Sequence, residues 1–467
     1  MNMISQTIEN FLQTLCDILG SGMPTGFGTK MEQVVSTGNN MLSTIIPTLL
    51  LAMDDEILKD PQRREDWEVV RKDKRTLVAA FGELCFERRY YRHKESGEMA
   101  YLLDRYLGIQ SNAKVNGDVR GKAVAMAEQG AYSKSASGAT QAGLSRMSVC
   151  NYVSHLERFP ALEAQGDKRA VKQLYVEADE DHVSLQDGKK AQVKLIYVHE
   201  GVQERGERRM LVNPRYLTWP QESDADSLWE TVSHYIDGQY DLQALEQIFL
   251  SGDCASWIRK GEEWLYPCVP ILDGFHAMKA LRKLCGGRQE QAAAFLRHVW
   301  KDEFNLAKDL CKSILKETPE PKRKAKHKQA NYLLNNWHRI RNQRHPGAQG
   351  CSAEGHVSHI LSERLSSRPL GWSKRNMENM ARLRVMKANG QVIQYEELRR
   401  AMPRKDNETT HTGVDALVNT PRLRRALKKS ALSSLNNACH NLPILTNGAT
   451  TQLYRALHAL SFDSLAS

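Results

Sequence analysis

Acidic residues are the scarce charge in this 467-residue chain: 55 Asp and Glu stand against 65 Lys and Arg, giving a formal net charge of +10 and a pI near 9.0. That balance favours an anionic partner, most often nucleic acid. Long hydrophobic runs are missing too. The longest apolar stretch, Met41 to Met53, is broken by Ser, Thr and Pro. It is too short to span a bilayer and reads as a core helix kinked near Pro47. Glu9 and Asp17 interrupt the N-terminal region, which excludes a secretory signal there. None of the nine cysteines (16, 85, 150, 254, 268, 285, 311, 351 and 439) forms a CxxC pair. Their odd number and irregular spacing argue against a disulfide framework and fit a reducing, cytoplasmic compartment. A zinc site built from Cys254, Cys268 and His276 competes with the commoner outcome, buried free thiols. Internal repeats and long low-complexity tracts are absent.

What is present suggests about three domains. Residues 1–75 read as a helical N-terminal region. Around Gly82, the segment Thr76–Arg92 carries β-branched and aromatic residues and reads as a small hairpin with a basic end at Arg88, Arg89, Arg92 and His93. Helix returns after it, so that 76–165 forms a hairpin-plus-helix region. From 171 the apolar period shifts to strands. Three strand-like runs, Val171–Gln186, Ala191–Glu200 and Arg209–Trp219, are separated by short turns such as Asp187-Gly188. A helix (about 224–235), a strand at Leu245–Leu250, a strand at Tyr266–Leu272 and a helix at His276–Leu284 follow. Three antiparallel strands and then alternating helix and strand is the order expected of a ribonuclease-H-like α/β domain, assigned here to 170–284 with 346–373. Residues 285–345 read as an all-helical basic insertion, and 374–467 as a helical C-terminal region with a polar linker at 403–420 and a last helical patch from Pro421.

A helix-turn-helix is expected over about 133–155. Ala139 lies four residues before Gly143, where a tight turn calls for positive φ. Leu144 and Val149 would plug the space between the helices, and Ser145 would cap the second. Its outer face carries Arg146, Met147, Ser148 and Asn151, of which Arg146 suits guanine and Asn151 adenine in the major groove. The competing reading is an ordinary helical corner. In the insertion, residues 318–345 hold eight Lys/Arg and one acid, Glu320. Lys322, Arg323, Lys324, Arg339 and Arg341 are the candidates for phosphate contact; a solvated helix face is the plainer alternative.

Two apolar runs end on a carboxylate: Leu174-Tyr-Val-Glu-Ala-Asp179 and Ile248-Phe-Leu-Ser-Gly-Asp253. A third acid, Glu354 in Cys351-Ser-Ala-Glu354, sits near an expected helix start. A rigid sheet edge presenting two or three carboxylates can hold two divalent ions, which catalyse in-line displacement at phosphorus. Alternation places 177, 179 and 181 on one side of a strand, so Asp181 is second choice to Asp179. Gly252 before Asp253 permits close approach of a substrate or neighbouring strand. Asp273-Gly-Phe-His276 follows Asp253 by 20 residues; Asp273 can cap a helix, and His276 can orient a carboxylate or touch a scissile phosphate. Glu363 is the alternative third acid.

Taken in order, Asp179-x2-His-Val-x-Leu, Asp253, Asp273-x2-His276 and Cys-Ser-Ala-Glu354-Gly-His resemble the DDE transposases of bacterial insertion sequences. Within them the set is similar to the ISLre family, related to the Mutator-like group, which carries a [C/D]-x2-H motif soon after its second aspartate and a helical insertion before the glutamate. The resemblance runs from about Phe86 to Trp372. It implies a ribonuclease-H-like catalytic domain with two Mg²⁺ (or Mn²⁺) ions on Asp179, Asp253 and Glu354, with Asp273 and His276 as the accessory motif. It also implies double-stranded DNA as partner, both terminal inverted repeats and target, bound by a homodimer or larger assembly near the nucleoid. Cleavage and joining would share one site. A metal-dependent nuclease or resolvase-like enzyme, or a helix-turn-helix regulator with a degenerate sheet domain, are the other expectations.

Overall fold

The computed structural model describes residues 3–20, 26–206, 208–219, 223–368, 371–399 and 412–442. The chain divides into two compact units, one drawn from residues 1–152 and 400–467, the other from 153–399. Residues 374–399 thus belong with the second unit, not with a separate C-terminal region.

In the first unit a helix, Phe27–Lys59, runs through Pro47 and buries Leu50 and Ile57. These pack with Trp67, Phe86, Tyr91, Leu102, Leu103, Leu423 and Leu427. The hairpin is longer than the sequence suggests: Trp67–Ala79 pairs with Gly82–His93, and Met99–Ala100 adds a short third strand. Its charged first strand, Arg71 to Arg75, hides the alternation that would have extended it. Nor is there a free basic end. Arg88 is buried against Asp104 at 2.9 Å, Arg89 binds Asp54 at 2.6 Å and Asp55 at 2.7 Å, Arg92 pairs with Glu68, and the His93 ring meets Trp67 edge-on. The linker expected at 403–420 is in part helix. Thr412–Val418 buries Val414 and Leu417, and Pro421–His440 follows; residues 400–411 lie outside the described set.

The second unit is built on five strands: β1 (Gln173–Ser184), β2 (Lys190–His199), β3 (Arg215–Trp219), β4 (Gln247–Gly252) and β5 (Cys268–Leu272). Their order is β5-β4-β1-β2-β3, with β2 antiparallel to both its neighbours and β4 parallel to both of its own. The third strand run is divided. Arg208–Leu211 pairs with Val202–Arg205 as a separate ribbon, and only Arg215–Trp219 joins the sheet. Asn213, with φ 49°, and Pro214, which has no N–H to pair, break the run between them.

Alternation along β1 sets the layers. Leu174, Val176 and Ala178 face a core with Ile196, Val198, Ile248 and Leu250, covered by α1 (Ala225–Gln239) and α2 (Ser256–Trp264) through Trp229, Val232, Trp257 and Ile258. Each such buried side chain contributes about 1.5–3 kcal/mol, so a one-residue slip of β1 is strongly disfavoured. Tyr175, Phe249 and Ile271 occupy the other face with Ala348. Then come α3 (Gly274–Cys285) and the helices α4 (Gln289–Trp300), α5 (Phe304–Lys316), α6 (Glu320–Asn335) and α7 (Trp337–Arg341). They share a core of Leu281, Leu284, Phe295, Ile314, Leu333 and Trp337. The chain returns over the sheet, through α8 (Ala353–Val357) against β1 and α9 (Lys374–Ala388) against β3.

Candidate active site

Register brings three aspartates to one edge. Ala178 of β1 is paired with Gly252 of β4, and Gly252 with Leu272 of β5. Asp179, Asp253 and Asp273 are the next residues on three adjoining parallel strands. The Asp273 N–H donates to the Gly252 carbonyl at 2.8 Å, carrying the pairing to the last position. Gly252 is there because nothing larger fits: a Cβ would lie 2.6 Å from the Ala178 carbonyl oxygen and 2.9 Å from Ile258. It is the partner strand, then, that requires the small residue.

Immediately after Asp253 the chain turns sharply. Cys254 takes φ 62°, rare for a residue with a side chain, and the Ala255 N–H donates to Asp253 Oδ1 at 2.8 Å. From the helical insertion, the Tyr332 hydroxyl donates to the Asp253 carbonyl at 2.6 Å. Sequence reasoning missed Tyr332, since only the fold brings it across 79 residues to Asp253. On the next strand end Asp273 caps α3, accepting from Phe275 N–H through Oδ1, while its Oδ2 accepts from His276 Nδ1 at 3.0 Å. Asp273 therefore has both roles the sequence allows it, cap and histidine partner.

Electrostatics couple these groups. Burial pushes the Asp179 carboxyl up to about 6, with Asp253 and Glu180 adding to the rise against the Glu180 N–H and His276. The hydrogen bond to Asp273 raises the His276 imidazole above its ordinary value against the effect of burial, helped by the charges of Asp273, Asp179 and Asp253. The arrangement is a carboxylate pair with an imidazole ring beside it whose protonation the three aspartates favour. Asp179 and Asp253 each accept a backbone N–H through Oδ1, and no hydrogen bond is described to either Oδ2. Hard oxygen donors with unrelieved negative charge suit Mg²⁺ or Mn²⁺. Among the described residues, however, no three His, Cys, Asp or Glu side chains converge to hold one metal ion.

Glu354 is exposed on α8 and is not brought into that group. The alternatives are engaged elsewhere. Asp181 is buried and accepts from the Ser366 hydroxyl at 2.8 Å, whereas Glu363 pairs with Arg384 at 3.0 Å. The cysteines imagined for zinc, Cys254 and Cys268, are free thiols, each pushed up to about 12 by burial.

The candidate phosphate contacts fall into two groups. Lys322 and Lys324 are exposed on α6. Arg323 pairs with Glu320, Arg341 with Asp302 at 2.7 Å, and Arg339 sets its guanidinium fork on Glu262 at 2.7–2.9 Å. Those three could reach a phosphate only by giving up their present partners. The helices Tyr132–Ala139 and Arg146–Ser154 flank the expected corner. Val149 is buried, Leu144 only half-buried, and the Ser148 N–H bonds to the Ser145 hydroxyl at 3.0 Å. Arg146, Met147 and Asn151 are exposed and Ser148 half-buried. Gly143 is not in the positive-φ region. Thr140 shapes the turn instead, its hydroxyl donating to the Ala79 carbonyl at 2.6 Å and accepting from the Ala142 N–H at 3.1 Å. No helix among the described residues is long and apolar enough to cross a membrane.

Residues 27–401 match the family described as Uncharacterised protein family (UPF0236). A UPF0236 protein of Caldanaerobacter subterraneus subsp. tengcongensis is similar at 32% identity over 461 residues, covering 98% of each chain. Another from the same organism, whose name joins eleven loci, is 31% identical over 465 residues, 99% of this chain and 98% of its own. A UPF0236 protein of Streptococcus gallolyticus, named for its place in a vanSb 3′ region, is 24% identical over 381 residues, 77% of this chain and 82% of its own.

Proposed function

We propose that this chain, which belongs to the uncharacterised family UPF0236, is a DNA transposase that cleaves and joins the ends of an insertion sequence by metal-dependent phosphoryl transfer. The observation that carries this reading is the register that sets Asp179 and Asp253 side by side, with the Asp273–His276 pair on the next strand end. Family members at many loci of one genome, as expected of an element that spreads by copying, support it. We read the sheet, three antiparallel strands followed by two parallel ones, as ribonuclease-H-like, interrupted by a helical insertion.

In this reading Asp179 and Asp253 would hold Mg²⁺ or Mn²⁺, and Glu354, the third ligand the resemblance implies, would join them only by moving from its exposed place on α8. Two such ions, when bound, supply the activation of a water or 3′-hydroxyl and the stabilisation of the leaving oxygen. The remaining work belongs to side chains of this chain. His276, oriented by its hydrogen bond to Asp273, binds a non-bridging oxygen of the scissile phosphate. Lys322 and Lys324 bind the DNA backbone along the insertion, and Arg146 and Asn151 read base edges of the terminal repeats. Synapsis of two ends calls for a dimer or larger assembly on DNA.

The test uses the full chain and the DNA flanking its gene, comparing wild type with Asp253→Asn in Mg²⁺ and in EDTA. End cleavage and joined products are expected only from wild type with metal, and the variant is expected to bind the same DNA with unchanged affinity. Cleavage without joining would make the protein a nuclease. Specific binding with no metal-dependent chemistry would make it a regulator.

A further inference from the structure

We propose that the outer face of α3 is the track for the DNA strand beside the cut. Phe275 stacks on the first base next to the scissile phosphate, turned out of its pair, and Lys279, Arg282 and Lys283 hold the phosphates beyond it. The inference rests on the reading of the protein as a DNA-cleaving enzyme and on no third metal ligand. α3 starts at the aspartate edge, where Asp273 caps it and His276 lies in its first turn. Its inner face, Ala277, Ala280, Leu281 and Leu284, is buried in the core shared with the insertion. That burial fixes what points outward. Phe275, Lys279, Arg282 and Lys283 recur at helical spacing, and all four are exposed.

A solvated helix face ordinarily mixes charges of both signs, but α3 contains no acid. Among the described residues its three outward cations have no ion-pair partner, unlike Arg323, Arg339 and Arg341 of the insertion. From Phe275 to Lys283 the stripe is about 12 Å long, room for about three phosphates of one strand at about 3.4 Å of duplex axis each. The aromatic residue at its head points to more than phosphate binding. Phe275 is 48% exposed, and its ring meets His276 edge to face at 5.3 Å. Lys279 Nζ lies 5.2 Å from the ring centre. The ring is thus next to both the histidine assigned to the scissile phosphate and a cation open to the next one. An aromatic face among cations is a platform for an unpaired base, because every base has a π-face whatever its identity. A base inside a duplex has both faces covered by its neighbours, so the base that covers Phe275 is one that has left the stack.

The experiment uses the full-length protein carrying Asp253→Asn, which keeps the DNA uncut, and duplexes containing the element end that flanks the gene. 2-Aminopurine, whose fluorescence rises when it leaves the stack, replaces the terminal base of the element or, in a second duplex, the base just outside it. Binding is expected to raise the fluorescence of one of the two. Adding Phe275→Ala or Phe275→Leu should abolish the rise, and Phe275→Tyr should keep it. With Asp253 restored and Mg²⁺ present, Phe275→Ala should slow cleavage about 5–150-fold on paired DNA, and a mismatch at the reporting base should restore most of that loss. Replacing Lys279, Arg282 and Lys283 together by Ala should lower the slope of log affinity against log salt by about 2.7. A full rise with Phe275→Ala, or none in either duplex once the protein is bound, would overturn the stacking role. A full rise with Phe275→Leu would make the residue an apolar wedge and overturn it as well. An unchanged salt slope would overturn the phosphate track. Absence of any binding to these duplexes would refute the DNA reading itself.

Discussion

Glu177 and Asp179 project from the same face of one strand, two residues apart, into opposite surroundings. Around Glu177 burial works against the charge, but the donors from His199, Tyr197 and Ser352 prevail and hold its carboxyl below the ordinary value. Around Asp179 burial is opposed by little more than one backbone N–H and the nearby His276, and the neighbouring Asp253 makes matters worse, so the carboxyl is pushed up to about 6. The contrast separates two uses of a buried acid. A carboxylate saturated with donors has already spent its charge on holding the scaffold. A pair short of donors keeps its charge for something that arrives, and a divalent cation is the species that would relieve both members at once.

The largest expected effect comes from dissolving the aspartate edge while leaving the Glu177 pocket whole. In Gly252→Ala the new methyl meets the Ala178 carbonyl at 2.6 Å, and that carbonyl is held in the strand pairing and cannot retreat. Destabilisation of about 2–4 kcal/mol is expected in urea unfolding, with loss of cleavage. An unchanged midpoint would mean that β1 and β4 part without cost.

Next comes a pair of substitutions with opposite signs. Because the folded-state value of Asp179 is raised from 3.8 to about 6, its contribution to stability is present below 3.8 and lost as pH rises through about 6. In EDTA, Asp179→Asn should therefore be more stable than wild type near pH 8, by at most about 3 kcal/mol, and nearly equal near pH 4. For Glu177 the folded-state value is depressed, so its contribution is present above 4.5 and lost as pH falls through the lowered value. Glu177→Gln should cost about 1–3 kcal/mol near pH 8, and the cost should shrink in acid. Thermal unfolding of both variants at the two pH values measures this directly. Equal signs would abolish the distinction between the two acids.

Much of the sheet and of its acidic edge is legible in the sequence. Central strands buried on both faces leave apolar runs such as Leu174–Val176 and Ile248–Leu250, and the aspartates stand where those runs stop. Pairing is what the sequence hides. A count of basic residues cannot tell that Arg88 faces Asp104, Arg89 faces Asp54 and Arg339 faces Glu262, because charge composition carries sign without partners. The same blindness affects the turn at 140–145, where glycine suggested positive φ but a threonine hydroxyl does the shaping. It also affects α8. Nothing local in Cys351-Ser-Ala-Glu354 indicates that its start is tied to Glu177, and the spacing of acids along the chain says nothing about whether Glu354 meets the other two.

The smallest expected effect tests how firmly the donor-poor edge is held. Tyr332 is a single hydroxyl from the insertion, and it donates to the backbone carbonyl of Asp253, next to the left-handed Cys254 whose own carbonyl accepts from Arg259 at 2.9 Å. Tyr332→Phe removes one neutral hydrogen bond, worth about 1 kcal/mol, and leaves every carboxylate in place. Tyr197→Phe removes a similar bond on the donor-rich side, where three others remain. If the aspartate edge has no redundancy, Tyr332→Phe should lower cleavage about tenfold at nearly wild-type stability, because small misplacements of reacting groups are costly. If Tyr332→Phe is silent while Tyr197→Phe slows the reaction, Asp253 is positioned by its strands alone, and the insertion serves the site by binding DNA and not by bracing it.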